Sequence, residues 1–306
     1  MLSRKNKLLL LKIVSLFSVV RGYNIPIIAI AQYLSAIFIL APQKGALNIL
    51  LDFNLFILVL ASSLTIASGY IINNFYDSKK DLINRPNKSM LDRLVRQETK
   101  LQVYFGLNFF ATLISFIVSF RAVVFFSVYI FLIWFYSHKI KKYPIIGNLM
   151  AAFLAVLPFF CILLYYKNFY EVIFFHASFL YLLLLIREMI KDLENIKGDL
   201  ATNYQTIPIV YGETTSKKII SFLLVLTIIP VYFLIDIFDV GYMDIYFYAG
   251  FIIMIFFALR LWKSDSKPQF ILLHNILKFL IVAGVFCIVL INPTVLWHGK
   301  KLLSLF

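Results

Sequence analysis

The sequence predicts an all-α membrane protein, a polytopic helical bundle of about nine transmembrane spans, and three observations carry that prediction. Its 306 residues are 62% hydrophobic and only 14% charged, with a mean hydropathy of +0.89, whereas soluble domains run roughly 45–50% apolar and about 25% charged. Apolar runs able to cross a hydrocarbon core, which takes about 20 helical residues, recur along the whole chain. No polar stretch between them is long enough to form a soluble domain, which excludes a soluble protein with a single anchor. Helix is the consistent element, because lipid admits only helices and closed barrels, and barrel strands read as shorter segments of alternating polarity.

The apolar runs fall at 24–42, 53–76, 102–120, 122–136, 145–166, 172–190, 217–238, 244–262 and 272–292. The run 122–136 is short for a span by itself. Residues 1–23 begin with basic side chains and an apolar run, but Lys12 interrupts that run and no small-residue cleavage pattern follows. They read as a retained, basic, amphipathic segment on the cytoplasmic surface rather than a secretion leader, with 24–306 as a single intramembrane domain. Cys161 and Cys287 lie within apolar runs, which gives no support to a disulfide framework or a thiolate metal site.

With residue 1 inside, 24 of the 29 Lys and Arg fall on one side, in segments 1–21, 77–100, 137–144, 187–218 and 260–278. The other side keeps Lys44, Arg121, Lys167, Lys300 and Lys301, a clear positive-inside bias that puts the basic face in the cytoplasm. These cations are spread over short loops without a recognition module, so a nucleic-acid partner is excluded. Orientation does not explain the acids. Nine of the 15 lie in two segments of that same side: Asp77, Asp81, Asp92 and Glu98, then Glu188, Asp192, Glu194, Asp199 and Glu213.

Asn73, Asp77 and Asp81 are spaced i, i+4, i+8, and Asp192, Asn195 and Asp199 are spaced i, i+3, i+7, so each set forms a stripe along one helix face. Carboxylates at the end of an apolar run face a polar cavity rather than lipid. Stacked carboxylates also need a cation. Magnesium fits, since it takes a few carboxylate or carbonyl oxygens and completes its shell from water and substrate phosphates. Lys80, Arg85, Lys88, Arg187 and Lys191 are placed to grip such phosphates. Either stripe by itself reads equally as a solvated helix end with local ion pairs, such as Lys191 with Glu188. Two stripes on one face favour a magnesium-diphosphate site.

These residues resemble the UbiA superfamily of intramembrane prenyltransferases, which carries an N-D-x-x-D-x-x-x-D motif followed by N-R-P, and a second D-x-x-x-D motif ending in G-D. Here the first is Asn73-Asn74-x-x-Asp77-x-x-x-Asp81 with Asn84-Arg85-Pro86, and the second is Asp192-x-x-Asn195-x-x-x-Asp199 with Gly198. Tyr136-Ser137-His138-Lys139-Ile140-Lys141, Pro144, Gly147-Asn148, and Thr206-Ile207-Pro208 with Gly212 are similar too. The resemblance implies a bundle around a central cavity open sideways to lipid, in which magnesium bridges both motifs to an allylic prenyl diphosphate. Carried over, Asn73, Asp77, Asp81, Asp192 and Asp199 are the metal ligands, and Asn195 offers a carbonyl oxygen. Asn74 and Asn195 depart from the family's Asp, which removes two charges.

Ionisation of the allylic carbon–oxygen bond needs the leaving diphosphate neutralised and the cation shielded from water. Aromatic faces stabilise a nearby cation, and Tyr70, Tyr76 and Tyr136 are the rings closest to the motifs. Lys139 with His138 offers an acid/base pair. Arg21-Gly22-Tyr23-Asn24 is similar to the family's R-P-x-N segment and marks Arg21 and Asn24 as acceptor contacts. The whole is most like the branch that prenylates geranylgeranylglyceryl phosphate to an ether lipid. Hydroxybenzoate or dihydroxynaphthoate acceptors stay open, as does a non-catalytic isoprenoid-binding scaffold. His176, His274 and His298 show no ligand spacing.

Overall fold

The computed structural model describes residues 4–297, those at 4, 5, 7–9, 296 and 297 by backbone alone. Its principal helices are α1 (Arg4–Val19), α2 (Asn24–Ser35, running on as a wide turn to Leu40), α3 (Phe53–Asn84), α4 (Pro86–Asp92), α5 (Gln97–Val118), α6 (Phe120–His138), α7 (Ile146–Tyr166), α8 (Glu171–Ala201), α9 (Glu213–Leu226), α10 (Asp244–Trp262) and α11 (Lys267–Cys287). No strand occurs among the described residues. Among the described residues eight helical segments are long and apolar enough to cross a membrane, and Leu10–Val19 with Asn24–Leu40, bent by 46° between them, makes a ninth where the pair counts as one span. The short run 122–136 proves to be the centre of a 23-residue span, Phe120–Lys142. His298 lies outside the described residues.

Local chemistry sets the breaks. Asp52 accepts from the backbone N–H of Asn54 and Leu55 at 3.0 and 3.2 Å, capping α3, which satisfies donors that the first turn leaves open. Ser119 caps α6 through Ala122 N at 3.2 Å, so one apolar stretch becomes two spans. Ser266 and Gln269 form a reciprocal capping box at the start of α11, with Pro268 in the first turn, where no N–H is needed.

Lipid provides no hydrophobic drive between helices, so close packing must hold them together. The most buried span, α3, presents Ala61, Ser62, Thr65, Ala67 and Ser68 to its neighbours. At Gly69 a Cβ would sit 3.0 Å from Ile133 of α6. Asn108 of α5, polar within a span, accepts a 2.5 Å bond from Ser68. Four buried clusters result among the described residues, and two of them flank the pocket. One joins α3, α5, α6 and α7 around Leu58, Ile71, Phe126 and Tyr129, and the other joins α8 to α11 around Ile186, Ile190, Ile220, Phe257 and Leu273. The candidate site lies where α3 of the first meets α8 of the second.

Candidate active site

Both stripes reach one pocket. Asn73, Asp77 and Asp81 line it from α3, Asp192 and Asn195 from α8, and Glu188 and Lys191 stand one turn earlier on α8. Arg21, Lys80, Arg85 and Lys141 add cations, while Tyr136, Tyr143, Asn148 and Tyr204 complete the wall. Helix periodicity accounts for this convergence. Residues four apart on a helix share a face, and α3 and α8 continue unbroken to Asn84 and Ala201.

Three of the four stripe carboxylates, Asp77, Asp192 and Asp199, already have partners. Lys141 Nζ donates to Asp77 Oδ1 at 2.7 Å and to Asn73 Oδ1 at 3.1 Å, and the Tyr204 hydroxyl donates to the same Asp77 oxygen at 2.9 Å. Lys80 forms an ion pair with Asp199 and lies 4.3 Å from the centre of the Tyr204 ring. Asn148 Nδ2 donates to Asp192 Oδ2 at 2.7 Å. Lys191 meets Glu188 at 2.7 Å, the local pair that the sequence suggests. Burial, and after it the charge of Asp77, raises the pKa of Tyr204 and keeps that phenol protonated.

The donor set suits a hard divalent cation. Every acid and amide on the two stripes offers oxygen, and Asn195 Oδ1 is buried without a partner because its Nδ2 donates back to Lys191 O at 2.7 Å. Among the described residues, no three His, Cys, Asp or Glu side chains converge into a ready ligand group. Of the stripe acids, Asp77 is paired with the Lys141 ammonium and Asp199 with that of Lys80.

Several expected residues stand elsewhere. Asp199 is 0% exposed and lies behind the pocket wall, against Lys80. Lys139 caps the end of α6 with an exposed side chain, and the cation from that segment which reaches the pocket is Lys141, two residues on. Asn24, Lys88 and Arg187 are half-buried but do not line it; Arg187 lies 3.7 Å from Glu188. Lys88 sits in a basic neighbourhood, where burial and then Arg21 lower its pKa. Arg21 does line the pocket, held 4.9 Å over the ring of Tyr70 by a left-handed backbone (φ 49°).

Asn74, where the family has Asp, faces away from the pocket. One residue along a helix turns the side chain by about 100°, so Asn74 leaves the stripe, donating to Asp92 Oδ2 at 3.0 Å and accepting from buried Lys100 at 2.8 Å. An amide makes both bonds at once, whereas a carboxylate has no donor. The charge missing at Asn74 is therefore missing from a buried network that also holds Ser18 of α1.

Sequence reasoning missed Lys141, Tyr204 and Asn148 as pocket residues. Lys141 and Asn148 stand in the quoted segments, but Tyr204 had no signal. It arrives because the loop after α8 docks on the α6–α7 turn, with Gln205 N bonded to Lys142 O at 2.9 Å. That turn also contains Ile145 at φ 62°, ψ −62°, a strained γ-turn conformation that is rare for a β-branched residue. Such strain gathers where a site must be shaped, and Tyr143, Gly147 and Asn148 all face the pocket.

A membrane helical bundle with acidic stripes and fixed cations at one pocket is the architecture of the intramembrane prenyltransferases. The chain belongs to the UbiA prenyltransferase family, whose model matches residues 29–280. It is 31% identical over 220 residues to a digeranylgeranylglyceryl phosphate synthase of Methanosphaera stadtmanae, covering 70% of this chain and 77% of that one. A synthase of the same name from Methanobrevibacter smithii is 27% identical over 230 residues, covering 71% and 79%. Among solved structures, one of a digeranylgeranylglyceryl phosphate synthase superposes with a TM-score of 0.68 at 20% identity over 92% of this chain and 99% of that one. A UbiA homologue from Archaeoglobus fulgidus bound to DMAPP and Mg2+ gives 0.65 at 14% identity, over 90% and 99%.

Proposed function

We propose that this prenyltransferase moves a prenyl group from an allylic diphosphate to the free hydroxyl of geranylgeranylglyceryl phosphate, with magnesium, at a site facing the cytoplasm. The observation that carries this reading is the meeting of Arg21, Arg85 and Lys191 with Asp77, Asp81 and Asp192 in one pocket. Carboxylates there suit a divalent cation, and cations suit two phosphorylated substrates. The names of the relatives favour the glyceryl phosphate acceptor over an aromatic one.

Asn73, Asp77, Asp81, Asp192 and Asn195 would hold magnesium, whose chemistry is to neutralise charge growing on the departing diphosphate. Lys141 and Lys191, together with Arg85, are poised for the same oxygens, and Asp199 keeps Lys80 in place. As the allylic carbon–oxygen bond breaks, its electron pair leaves with the diphosphate. The acceptor hydroxyl oxygen then bonds to that carbon, and its proton passes to the released diphosphate or to water. Tyr136 presents a ring to the developing cation, and the surrounding apolar helices exclude water that would otherwise capture it.

The test is turnover in nanodiscs with geranylgeranyl diphosphate, magnesium, and a panel of geranylgeranylglyceryl phosphate, hydroxybenzoate and dihydroxynaphthoate. The expected result is an ether product from the first acceptor alone, abolished by EDTA and by Asp77→Ala. A prenylated aromatic acid overturns the acceptor, and turnover that survives EDTA overturns the metal.

A further inference from the structure

Beside the pocket, three chain segments meet at one carboxylate. Glu194 on α8 is 7% exposed and does not line the pocket. Its Oε1 accepts from Arg85 Nη2 at 2.8 Å, and its Oε2 lies 3.2 Å from Nδ1 of His274 on α11. A carboxylate at that depth is tolerated when its oxygens are met by cations or donors; here Arg85 donates to one oxygen and the His274 ring packs beside the other. Arg85 commits one of its five N–H donors to Glu194, and its guanidinium still lines the pocket.

The backbone before Arg85 is fixed by the same two helices. Asn84 Oδ1 accepts from Gly198 N at 3.1 Å, Asn84 Nδ2 donates to Asn195 O at 3.4 Å, and Lys267 of α11 donates to the Asn84 carbonyl. Gly198 is required for this approach, since a Cβ there would lie 2.3 Å from Asn84 Nδ2. The corner that delivers Arg85 is thus clamped at main chain and side chain alike. An arginine held in one rotamer binds an anion without first losing its own conformational freedom.

We propose that Glu194 and His274 are positioning residues that aim Arg85 at the diphosphate of the donor, so that α11 tunes donor affinity without lining the pocket. This rests on the reading above that Arg85 receives diphosphate oxygens. The test measures binding of inorganic pyrophosphate in magnesium to the full chain in nanodiscs by calorimetry, alongside donor KM and kcat. The variants are Arg85→Ala, Glu194→Gln, His274→Phe and the doubles with Arg85→Ala.

Glu194→Gln and His274→Phe should each weaken pyrophosphate binding and raise donor KM about tenfold while kcat changes little, and both effects should vanish in the Arg85→Ala background, as coupled pairs do. Effects that add to those of Arg85→Ala, or that lower kcat as much as affinity, mean ordinary packing and overturn the proposal. Unchanged affinity in both single variants overturns it as well. Should Arg85→Ala itself bind pyrophosphate normally, the assignment of Arg85 fails and the clamp with it, a result separable from failure of the clamp alone. His274→Phe, farther from the stripes, keeps the test available if Glu194→Gln does not fold.

Discussion

Asp77 faces the pocket while accepting from Lys141 and Tyr204, two donors brought by two other segments of chain. Preorganised donors of this kind are worth about 10²–10³ in rate when removed singly. Lys141→Met should therefore lower kcat/KM for the donor by about 10²-fold, whereas Lys139→Ala, on an exposed helix end, should stay within about twofold; steady-state kinetics of the pair checks this. Gly198→Ala forces its new methyl into Asn84, an overpacking typically costing about 1–3 kcal/mol. Its thermal unfolding in detergent should come earlier, and donor KM should rise with it, because Asn84 precedes Arg85. The motifs at 73–81 and 192–199 were readable at this scale because helical spacing is a local property. Asn74 reads in the sequence only as a charge missing from the family pattern; its place one residue off the stripe turns it toward Asp92 and Lys100.

Among the elements, α7 contains Pro158 in its interior, which removes the hydrogen bond to the carbonyl four residues earlier. In lipid that carbonyl needs a partner, and the Tyr129 hydroxyl of α6 donates to Leu154 O at 3.0 Å. Gln32 of α2 meets the Pro158 carbonyl at 3.1 Å. Tyr129→Phe should cost about 1 kcal/mol. In a Pro158→Ala background the cost should shrink, since residue 158 then supplies its own N–H. A double-mutant cycle read by chemical or thermal unfolding decides it, and an equal cost in both backgrounds would remove Tyr129 from this role. Pro158 is visible in the sequence, but its partner 29 residues earlier is not.

For the molecule as a whole, the two ends differ in chemistry. One end gathers the pocket with its lysines and arginines. At the other, Asp52 accepts from Tyr165 and Tyr166, and Lys44 lies 4.8 Å over the Tyr166 ring. The proposed orientation, which follows the positive-inside bias, puts the first end in the cytoplasm. Both native cysteines lie within spans, so a Cys161→Ser, Cys287→Ser background permits single-cysteine mapping. Lys139→Cys should react with an impermeant maleimide only from the cytoplasmic side, and Lys44→Cys only from the opposite one; the reverse pattern would invert the proposed orientation.

Hydropathy, helix period and charge asymmetry act within a few turns of chain, and these alone determined that the protein is a membrane helical bundle with two oxygen-rich stripes at one end. Tertiary structure decided which cations answer those stripes. Lys141 and Tyr204 enter through loops docked on each other, Asp199 withdraws behind Lys80, and Glu194 turns to Arg85 and His274 across three elements. Each of these depends on the approach of segments 60 or more residues apart, or on a turn geometry such as that at Ile145, and neither leaves a periodic trace in the sequence.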